Sequence, residues 1–269
     1  MKLRVEQVSF RYPSGVQALQ DVRLEIASGE CLALVGENGA GKTTLVKLFN
    51  GLLHPSQGAV LVGDWRTDEH STAELAGRVG FLFQNPDDQL FERSVRRDVA
   101  FGPRNLGLAA SEVDQRVNSA LEQVGLSQVA DQHPYDLQYN QRKLVALAAT
   151  LAMRTPILVL DEPTIGQDED QRRRVGDIIG HLKREGRTVI LIAHDLDFVA
   201  EQAERVLVMA GGHVLQDGPT VEVLVQSDTL ARAAVAPPQL VRLAQTLSLP
   251  SAPLDVETFL ETYAASKKG

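Results

Sequence analysis

A glycine-rich segment near the amino terminus carries residue types that can bind phosphate. Residues 36–43 read GENGAGKT and fit the pattern G-x-x-x-x-G-K-[ST]. Its glycines allow left-handed backbone angles, so that successive N–H groups can surround an anion. Lys42 would reach the β and γ phosphates of ATP, and the Thr43 hydroxyl would bind Mg²⁺. The predicted nucleotide-binding residues here are Gly36, Asn38, Gly39, Ala40, Gly41, Lys42, Thr43 and Thr44.

Two neighbouring carboxylates form the second candidate group. Asp161 and Glu162 follow the apolar run 157–160, which reads as a buried strand. Ligands of open α/β sheets bind at the carboxyl ends of the strands. We predict that Asp161 holds Mg²⁺, directly or through water, and that Glu162 polarises the attacking water. A strand that ends in Asp-Glu is common by itself, but downstream of a phosphate loop it favours a catalytic site.

The phosphate loop lies between the elements that its motif requires. The apolar run 31–35 predicts a buried strand before it, and residues 45–49 predict a helix after it. Further strands are predicted at 79–83, 157–160, 189–192 and 205–209. Several of them are apolar on both faces, which is typical of parallel strands covered by helices. Residues 2–30 contain two alternating runs separated by Pro13-Ser14-Gly15, which predicts an antiparallel sheet edge.

A helical segment is predicted to interrupt this sheet between residues 85 and 152. Residues 111–114 read as a capping-box helix start, and residues 142–152 as a largely buried helix. The predicted fold is therefore α/β, a P-loop NTPase with a mixed sheet core, an antiparallel β edge subdomain and an inserted helical subdomain. We place a nucleotide-binding domain at 1–218. A helical extension, broken by prolines, follows at 219–269.

The composition disfavours disulfide-bonded, membrane-spanning and nucleic-acid-binding classes of protein. The 269 residues are 43% hydrophobic, enough for a sizeable core, and the single cysteine, Cys31, rules out an internal disulfide and is predicted to lie in the core. The longest apolar run, residues 144–152, is far shorter than the roughly 18 residues of a membrane span. We expect neither a signal peptide nor a membrane-spanning segment, so work at a membrane would require a partner. The net charge of −8 disfavours nucleic acid as a partner.

The order of these motifs resembles the nucleotide-binding subunit of an ATP-binding cassette (ABC) transporter. The resemblance covers roughly residues 2–220. It rests on the phosphate loop, Gln84 after an apolar strand, the sequence DEPT at 161–164 and the sequence IAHD at 192–195. It implies the ABC ATPase fold, with ATP and Mg²⁺ as cofactors.

The resemblance also implies roles for single residues. Tyr12 would stack on adenine, and Gln84 would contact Mg²⁺ and the attacking water while sensing a membrane partner. With Gln84, the implied metal ligands are Thr43 and Asp161. His194 would contact the γ phosphate, and Asp168 would end the D-loop, which crosses to a second subunit. The alternatives are simple packing for Tyr12, a strand cap for Gln84 and a structural histidine for His194.

A narrower resemblance points to one group within this family. Residues 84–91, 164–168 and 237–244 are similar to ATPase subunits of energy-coupling factor (ECF) importers. Such importers take up vitamins and transition-metal ions in prokaryotes. Two ATPase subunits, identical or different, sit at the cytoplasmic face beneath a scaffold membrane protein that holds a substrate-binding membrane protein. The carboxy-terminal region would help to hold the two ATPases together; the alternative is an ordinary solvated extension.

One short segment departs from the family pattern. In ABC ATPases a Leu-Ser-Gly-Gly-Gln signature on one subunit faces the phosphate loop of the other. Here residues 137–141, the signature segment, read LQYNQ, so Gln138 replaces the serine and Tyr139 and Asn140 replace the glycines, while Gln141 matches. Losing one hydrogen bond to a charged group costs about 1.5–3 kcal/mol. That corresponds to roughly a tenfold to hundredfold loss of rate if it is felt in the transition state.

Three interpretations of this departure stay open. The amide side chains of Gln138 and Asn140 could still bind phosphate in an altered form. Alternatively, the chain pairs with a different subunit that has an intact signature, which is the hypothesis we favour. In the third interpretation the chain is a nucleotide-binding regulator. The function predicted overall is ATP hydrolysis coupled to membrane uptake, and the rival is a soluble ABC-type ATPase or regulator without a transport role.

Overall fold

Two β-sheets form the centre of the structure, a computed structural model that describes residues 1–267. The strands in chain order are β1 (Leu3–Arg11), β2 (Gln17–Ile26), β3 (Cys31–Val35), β4 (Gln57–Val62), β5 (Trp65–Arg66), β6 (Val79–Leu82), β7 (Ile157–Asp161), β8 (Thr188–Ile192), β9 (Arg205–Ala210) and β10 (His213–Pro219). One sheet has the order β2-β1-β4-β5 and is antiparallel. This confirms the antiparallel edge predicted for the first 30 residues.

The second sheet carries the strands around the phosphate loop. Its order is β10-β9-β3-β8-β7-β6, with β10 antiparallel to β9 and the remaining pairs parallel. Every residue of β3, β6, β7 and β8 is buried. Strands covered by helices on both faces need such continuous apolar runs, which is why the four strands predicted after the loop agree with the observed ones to within one residue at each end.

Helices cover the second sheet and continue to the carboxy terminus of the described chain. They are α1 (Lys42–Phe49), α2 (Thr72–Leu75), α3 (Val95–Asn105), α4 (Ala110–Val124), α5 (Tyr139–Ala152), α6 (Glu169–Arg184), α7 (Leu196–Gln202), α8 (Thr220–Val223), α9 (Ser227–Arg232), α10 (Gln239–Thr246) and α11 (Val256–Ser266). Helices α3, α4 and α5 pack on one another and form the predicted helical insertion. The mixed α/β fold with antiparallel edge and helical insertion is thus confirmed.

The predicted start of α4 is wrong. The helix begins at Ala110 with Ala109 as its N-cap, and no side chain caps it. The N–H groups of Glu112 and Val113 both bond to the Ala109 carbonyl. Ser111 therefore lies inside the first turn. The chain enters the helix directly after the left-handed Gly107 and the packed Leu108, so tertiary packing sets the boundary two residues early.

Alternation along the central strand divides the core into two clusters. In β3, Cys31, Ala33 and Val35 face the helical insertion, whereas Leu32 and Leu34 face α1 and the antiparallel sheet. Successive side chains of a strand point to opposite faces, so one short strand supplies both cores. Cys31 is fully buried, as predicted, and burial raises the pKa of its thiol to about 12.

The carboxy-terminal helices pack on the body that contains the phosphate loop. Glu37 N–H, in that loop, donates to the Ala233 carbonyl at 3.0 Å, and Asp197 Oδ1 accepts from Gln239 N–H at 2.8 Å. The predicted division at 218/219 falls at the end of β10, and the last two residues of the predicted extension, 268 and 269, lie outside the described chain. Within residues 1–267 we find no helix with the length and apolarity needed to cross a membrane.

Candidate functional site

The phosphate loop turns sharply between β3 and α1, and glycine is needed at its tightest points. Gly36 and Gly41 have φ angles of 149° and 103°. A Cβ on Gly36 would lie 2.1 Å from the Met209 carbonyl oxygen, and one on Gly41 would lie 2.6 Å from the Ala18 carbonyl oxygen. Any side chain at either position would collide with fixed backbone, so the loop geometry depends on these glycines.

Lys42 lies beneath this loop. Its Nζ donates to the Gly36 carbonyl at 2.6 Å and to the Glu37 carbonyl at 2.8 Å. Burial lowers the pKa of the ammonium, while the carboxylates of Glu162 and Asp161 oppose that shift. The loop and its lysine therefore present N–H groups and a cation to the same space, which suits a polyphosphate.

Oxygen donors from α1 and β7 meet beside the loop. Thr43 Oγ1 donates to Asp161 Oδ2 at 3.1 Å. Asp161 is buried, and its burial raises the pKa of the carboxyl. Gln84 lines the same cleft with an exposed side chain. Mg²⁺ prefers hard oxygen ligands and takes only one or two carboxylates beside phosphate and water, so these residues fit a Mg²⁺ that arrives with a nucleotide.

Glu162 is a buried carboxylate in an unusual backbone conformation. Its φ is 50°, in the left-handed region that costs a non-glycine residue of order 1–3 kcal/mol, and its N–H donates to the Ile192 carbonyl. Burial raises the pKa of its carboxyl to about 7, although the His194 N–H at 3.4 Å from Oε2 opposes the shift. Oε1 has no hydrogen-bond partner in the described chain. A carboxylate with a pKa near 7 is suited to general-base work.

His194 joins Glu162 to the phosphate loop. Its Nε2 lies 3.1 Å from Asn38 Oδ1 and 3.3 Å from Glu162 Oε1. Burial, reinforced by Lys42, lowers the pKa of the imidazole. This shift favours the neutral imidazole, which keeps one N–H to donate.

Tyr12 also lines this cleft. Its hydroxyl is 2.9 Å from Thr44 Oγ1, and its ring packs edge-on against Phe10 with 4.8 Å between centroids. Packing is thus observed, and adenine stacking stays a prediction. One open cleft brings together eleven of the predicted residues: Tyr12, Asn38, Gly39, Gly41, Lys42, Thr43, Thr44, Gln84, Asp161, Glu162 and His194. Gly36 and Ala40 complete the loop behind it.

The signature segment and Asp168 lie outside this cleft. Gln138 is the N-cap of α5, and Tyr139 is 38% exposed at its first turn. Asp168 is the N-cap of α6, where its Oδ1 accepts from Gln171 N–H at 2.8 Å. Neither segment can therefore serve the nucleotide bound to this chain's own phosphate loop unless the chain rearranges.

Lys143 supports the site but is not among the residues predicted from the sequence. This buried lysine follows the signature segment, and its Nζ donates to the carbonyls of Phe83, Gln84 and Asp161. Burial lowers the pKa of its ammonium to about 8. The available signal was a lysine inside a helix predicted to be largely buried, because a buried charge requires compensation. Lys143 joins α5 to the ends of β6 and β7.

Comparison with known proteins agrees with this arrangement. Residues 19–165 match the family model described as ABC transporter. A putative ABC transporter ATP-binding protein from Methanosarcina mazei is 46% identical over 91% of this chain, although the chain spans only 42% of that relative's length. It likewise spans 40% of the length of a similarly named relative from Methanosarcina acetivorans.

Two further matches extend over most of both chains. The energy-coupling factor transporter ATP-binding protein EcfA of Methanothermobacter thermautotrophicus is 39% identical over 97% of this chain and 85% of its own. The structure of cbiO1 from Clostridium perfringens, part of the ABC transporter complex cbiONQ, is 34% identical with a TM-score of 0.74, covering 92% of this chain and 98% of that one. With more than half of its residues inside the family model and its fold shared with such relatives, the chain belongs to the ABC transporter family and contains that family's ATP-binding domain.

Proposed function

We propose that this chain hydrolyses ATP as the energy-coupling subunit of a membrane importer. The observation that carries the proposal is the Glu162 carboxylate, which is buried and has no hydrogen bond at Oε1 within the described residues. It lies beside His194, whose Nε2 is 3.3 Å from that oxygen and 3.1 Å from Asn38 Oδ1 in the phosphate loop. Burying a carboxylate oxygen without a hydrogen bond costs free energy, so Oε1 is a group that a bound molecule could use. Its raised pKa lets it accept a proton from water near neutral pH.

The residues of the cleft divide the work of phosphoryl transfer. Lys42 and the loop N–H groups would hold the β and γ phosphates, while Thr43, Asp161 and Gln84 would hold Mg²⁺. When bound, Mg²⁺ would neutralise phosphate charge. Glu162 would orient and deprotonate the attacking water, and neutral His194 would donate its N–H to the γ phosphate as charge redistributes. Tyr12 would position the adenine.

The importer class is proposed from two relatives and one surface. One relative is named an energy-coupling factor ATP-binding protein, and the other is part of a transporter complex. Phe91 is 61% exposed and Phe101 42% exposed, and their rings pack edge-to-face beside the segment that begins at Gln84. We propose that this aromatic pair contacts a polytopic scaffold protein, with a substrate-binding membrane protein above it. The chain would then work at the cytoplasmic face of a prokaryotic membrane on vitamin or transition-metal ion uptake.

We further propose that hydrolysis requires a second ABC ATPase subunit. The signature segment lies outside the chain's own cleft, so it would serve the nucleotide of a partner. With Tyr139 and Asn140 in place of glycines, a heterodimer with an intact partner signature is the arrangement we favour. The site built on Lys42 and Glu162 would then turn over, and the partner's ATP would be hydrolysed slowly.

Replacing the proposed base tests the reaction. We expect Glu162→Gln to lower turnover at least about a hundredfold while nucleotide still binds, since the amide cannot accept the proton. An ATP-bound dimer should accumulate. Steady-state phosphate release and equilibrium nucleotide binding measure the two effects, with Glu122→Gln on the exposed surface of α4 as control. Normal turnover in Glu162→Gln would show that the base assignment is wrong.

A soluble ATPase or nucleotide-binding regulator is the alternative. We expect affinity purification of the chain from detergent-solubilised membranes to recover a polytopic scaffold protein. The same purification with Phe91→Asp should recover much less of it, because a buried charge would face the apolar contact. If neither the wild-type chain nor Phe91→Asp recovered a membrane protein, the soluble ATPase or regulator would be favoured.

A further inference from the structure

Amide side chains tie the start of α5 to the start of α6. Asn140 Nδ2 donates to Gln171 Oε1 at 3.0 Å, and Gln167 Nε2 donates to the Asn140 carbonyl at 3.0 Å. The Tyr139 ring packs beside them, since a Cβ on Gly166 would lie 3.1 Å from its Cδ1. Both residues that replace glycine in the signature segment are therefore engaged within the chain.

Gln171 is the shared acceptor in this contact. Its Oε1 also accepts from Asp168 N–H at 3.2 Å, while its own N–H donates to Asp168 Oδ1 at 2.8 Å. Gln171 thus closes the capping box of α6 and holds Asn140 with the same oxygen. An oxygen that accepts two N–H groups fixes both donors relative to each other, so the signature segment and the end of the 163–168 loop are held in one geometry.

Arg172, which follows Gln171, connects the first turn of α6 to the segment beside His194. Arg172 Nε donates to Asp195 Oδ2 at 3.2 Å, and Asp195 Oδ1 caps α7 by accepting from Phe198 N–H at 3.0 Å. Asp195 directly follows His194. The first turn of α6 therefore contacts the signature segment on one side and the His194 segment on the other.

We propose that Gln171 is a positioning residue for ATP hydrolysis, which holds the signature segment through Asn140 against the α6 turn that also fixes Asp195 beside His194. The inference rests on the proposed function. The first N–H groups of a helix have no partner within it, so those of Tyr139 and Asn140 remain available to an anion on a second subunit. The hydrogen bond from the Asn140 side chain to Gln171 would thus hold the signature segment in place, where glycines would allow closer packing.

Two substitutions at position 171 test the role in the full-length chain. Gln171→Leu removes the shared acceptor, and we expect kcat to fall about fivefold with the KM for ATP within about twofold. Gln171→Glu keeps an acceptor oxygen and should retain kcat within about twofold. Gln123→Leu on α4 makes the same replacement where the side chain donates a hydrogen bond to Ser119 Oγ, and should leave kcat unchanged. Equal kcat in Gln171→Leu and wild type would overturn the proposal.

A double-mutant cycle asks whether Asn140 acts through Gln171. We expect Asn140→Ala to lower kcat, and the double variant to be no slower than Gln171→Leu alone, because the second change finds its partner already absent. Multiplied effects of the two changes would mean that the residues act independently.

Hydrogen exchange gives a readout that does not depend on turnover. Exchange of the amides in residues 165–171 should become several-fold faster in Asn140→Ala and in Gln171→Leu, and stay unchanged in Gln123→Leu. Unchanged exchange in Asn140→Ala would overturn the coupling. If Glu162→Gln hydrolysed ATP as fast as wild type, the base assignment of the proposed function would fail, but the exchange experiment would still decide this inference.

Discussion

Burial shifts the pKa of Glu162 upward and that of Lys143 downward, so each shift disfavours the charged form. The carboxyl of Glu162 has a pKa of about 7, and the ammonium of Lys143 has a pKa of about 8. Lys143 uses its donors on three carbonyls, whereas Glu162 Oε1 is left without a hydrogen bond in the described chain. This difference separates a group that holds the site together from a group available to a ligand.

We expect Lys143→Met to lower kcat at least about tenfold. Methionine fills the space but leaves the carbonyls of Phe83, Gln84 and Asp161 without their donor, and each unpaired buried group costs about 1–3 kcal/mol. The segment from Gln84 would then be free to shift relative to Asp161. Phosphate release and binding of a fluorescent ATP analogue measure kcat and affinity separately.

The matched control for that substitution is on the same helix. Thr150→Val removes hydrogen bonds to the carbonyls of Phe81 and Ala146, about two helical turns after Lys143. It should lower the melting temperature with little effect on kcat. If Lys143→Met lowered kcat no more than Thr150→Val does, Lys143 would contribute only to packing and would not position the site.

At the scale of secondary structure, parallel register brings the site together. Leu82 pairs with Leu160, and Asp161 pairs with Ile192, so Gln84, Glu162 and His194 all follow strands that end at one edge. These residues are distant in sequence but adjacent in the sheet. The first turn of α5 contributes no residue to the lining of the cleft, so the signature segment lies apart from the phosphate loop of its own chain.

We expect Tyr139→Gly to raise the turnover of the purified chain roughly tenfold. In the proposed dimer the partly exposed ring would add bulk where a partner's phosphate approaches the helix, and glycine would remove it. Tyr135→Gly, at a nearby exposed tyrosine, should bring no such gain. If the wild-type chain alone hydrolyses ATP cooperatively at the rate of Tyr139→Gly, the idea of a degenerate signature is wrong.

At the scale of the whole molecule, the carboxy-terminal helices present apolar side chains to the outside. Leu247, the C-cap of α10, is 43% exposed, and Leu260 on α11 is 57% exposed. The extension also contacts the phosphate loop through the bond between Glu37 and Ala233. We propose that α10 and α11 help to hold two ATPase subunits together. The subunit contact would then belong to the same extension that is hydrogen-bonded to the phosphate loop.

The double variant Leu247→Asp/Leu260→Asp should weaken subunit association about tenfold or more. Burying a leucine contributes about 1.5–3 kcal/mol, and an aspartate in its place would require desolvation. Light scattering after gel filtration across a concentration series measures the change. Leu52→Asp alters an equally exposed leucine outside the extension and should not change association. Identical elution of all three chains would exclude this surface.

Several features could be predicted from the sequence because they depend on local chemistry. The phosphate loop needs glycines at positions where the backbone is packed too closely for a side chain, and buried parallel strands need unbroken apolar runs. Both requirements leave a pattern that can be recognised in the sequence. The α4 start could not be predicted, because packing of Leu108 and the turn at Gly107 decide it rather than a capping side chain. Lys143 was missed because its partners are carbonyls that only folding brings near.

The order of residue types along the chain, from Tyr12 to His194, is enough to predict which of them could bind a triphosphate. Folding adds that eleven of the predicted residues share one cleft, that Glu162 Oε1 has no hydrogen bond within the described residues, and that Tyr139 and Asn140 pack toward the α6 segment. The physical reason is that a motif specifies local backbone and side-chain chemistry. Proximity, burial and the shift of a pKa depend on strand register and helix packing between residues far apart in the chain.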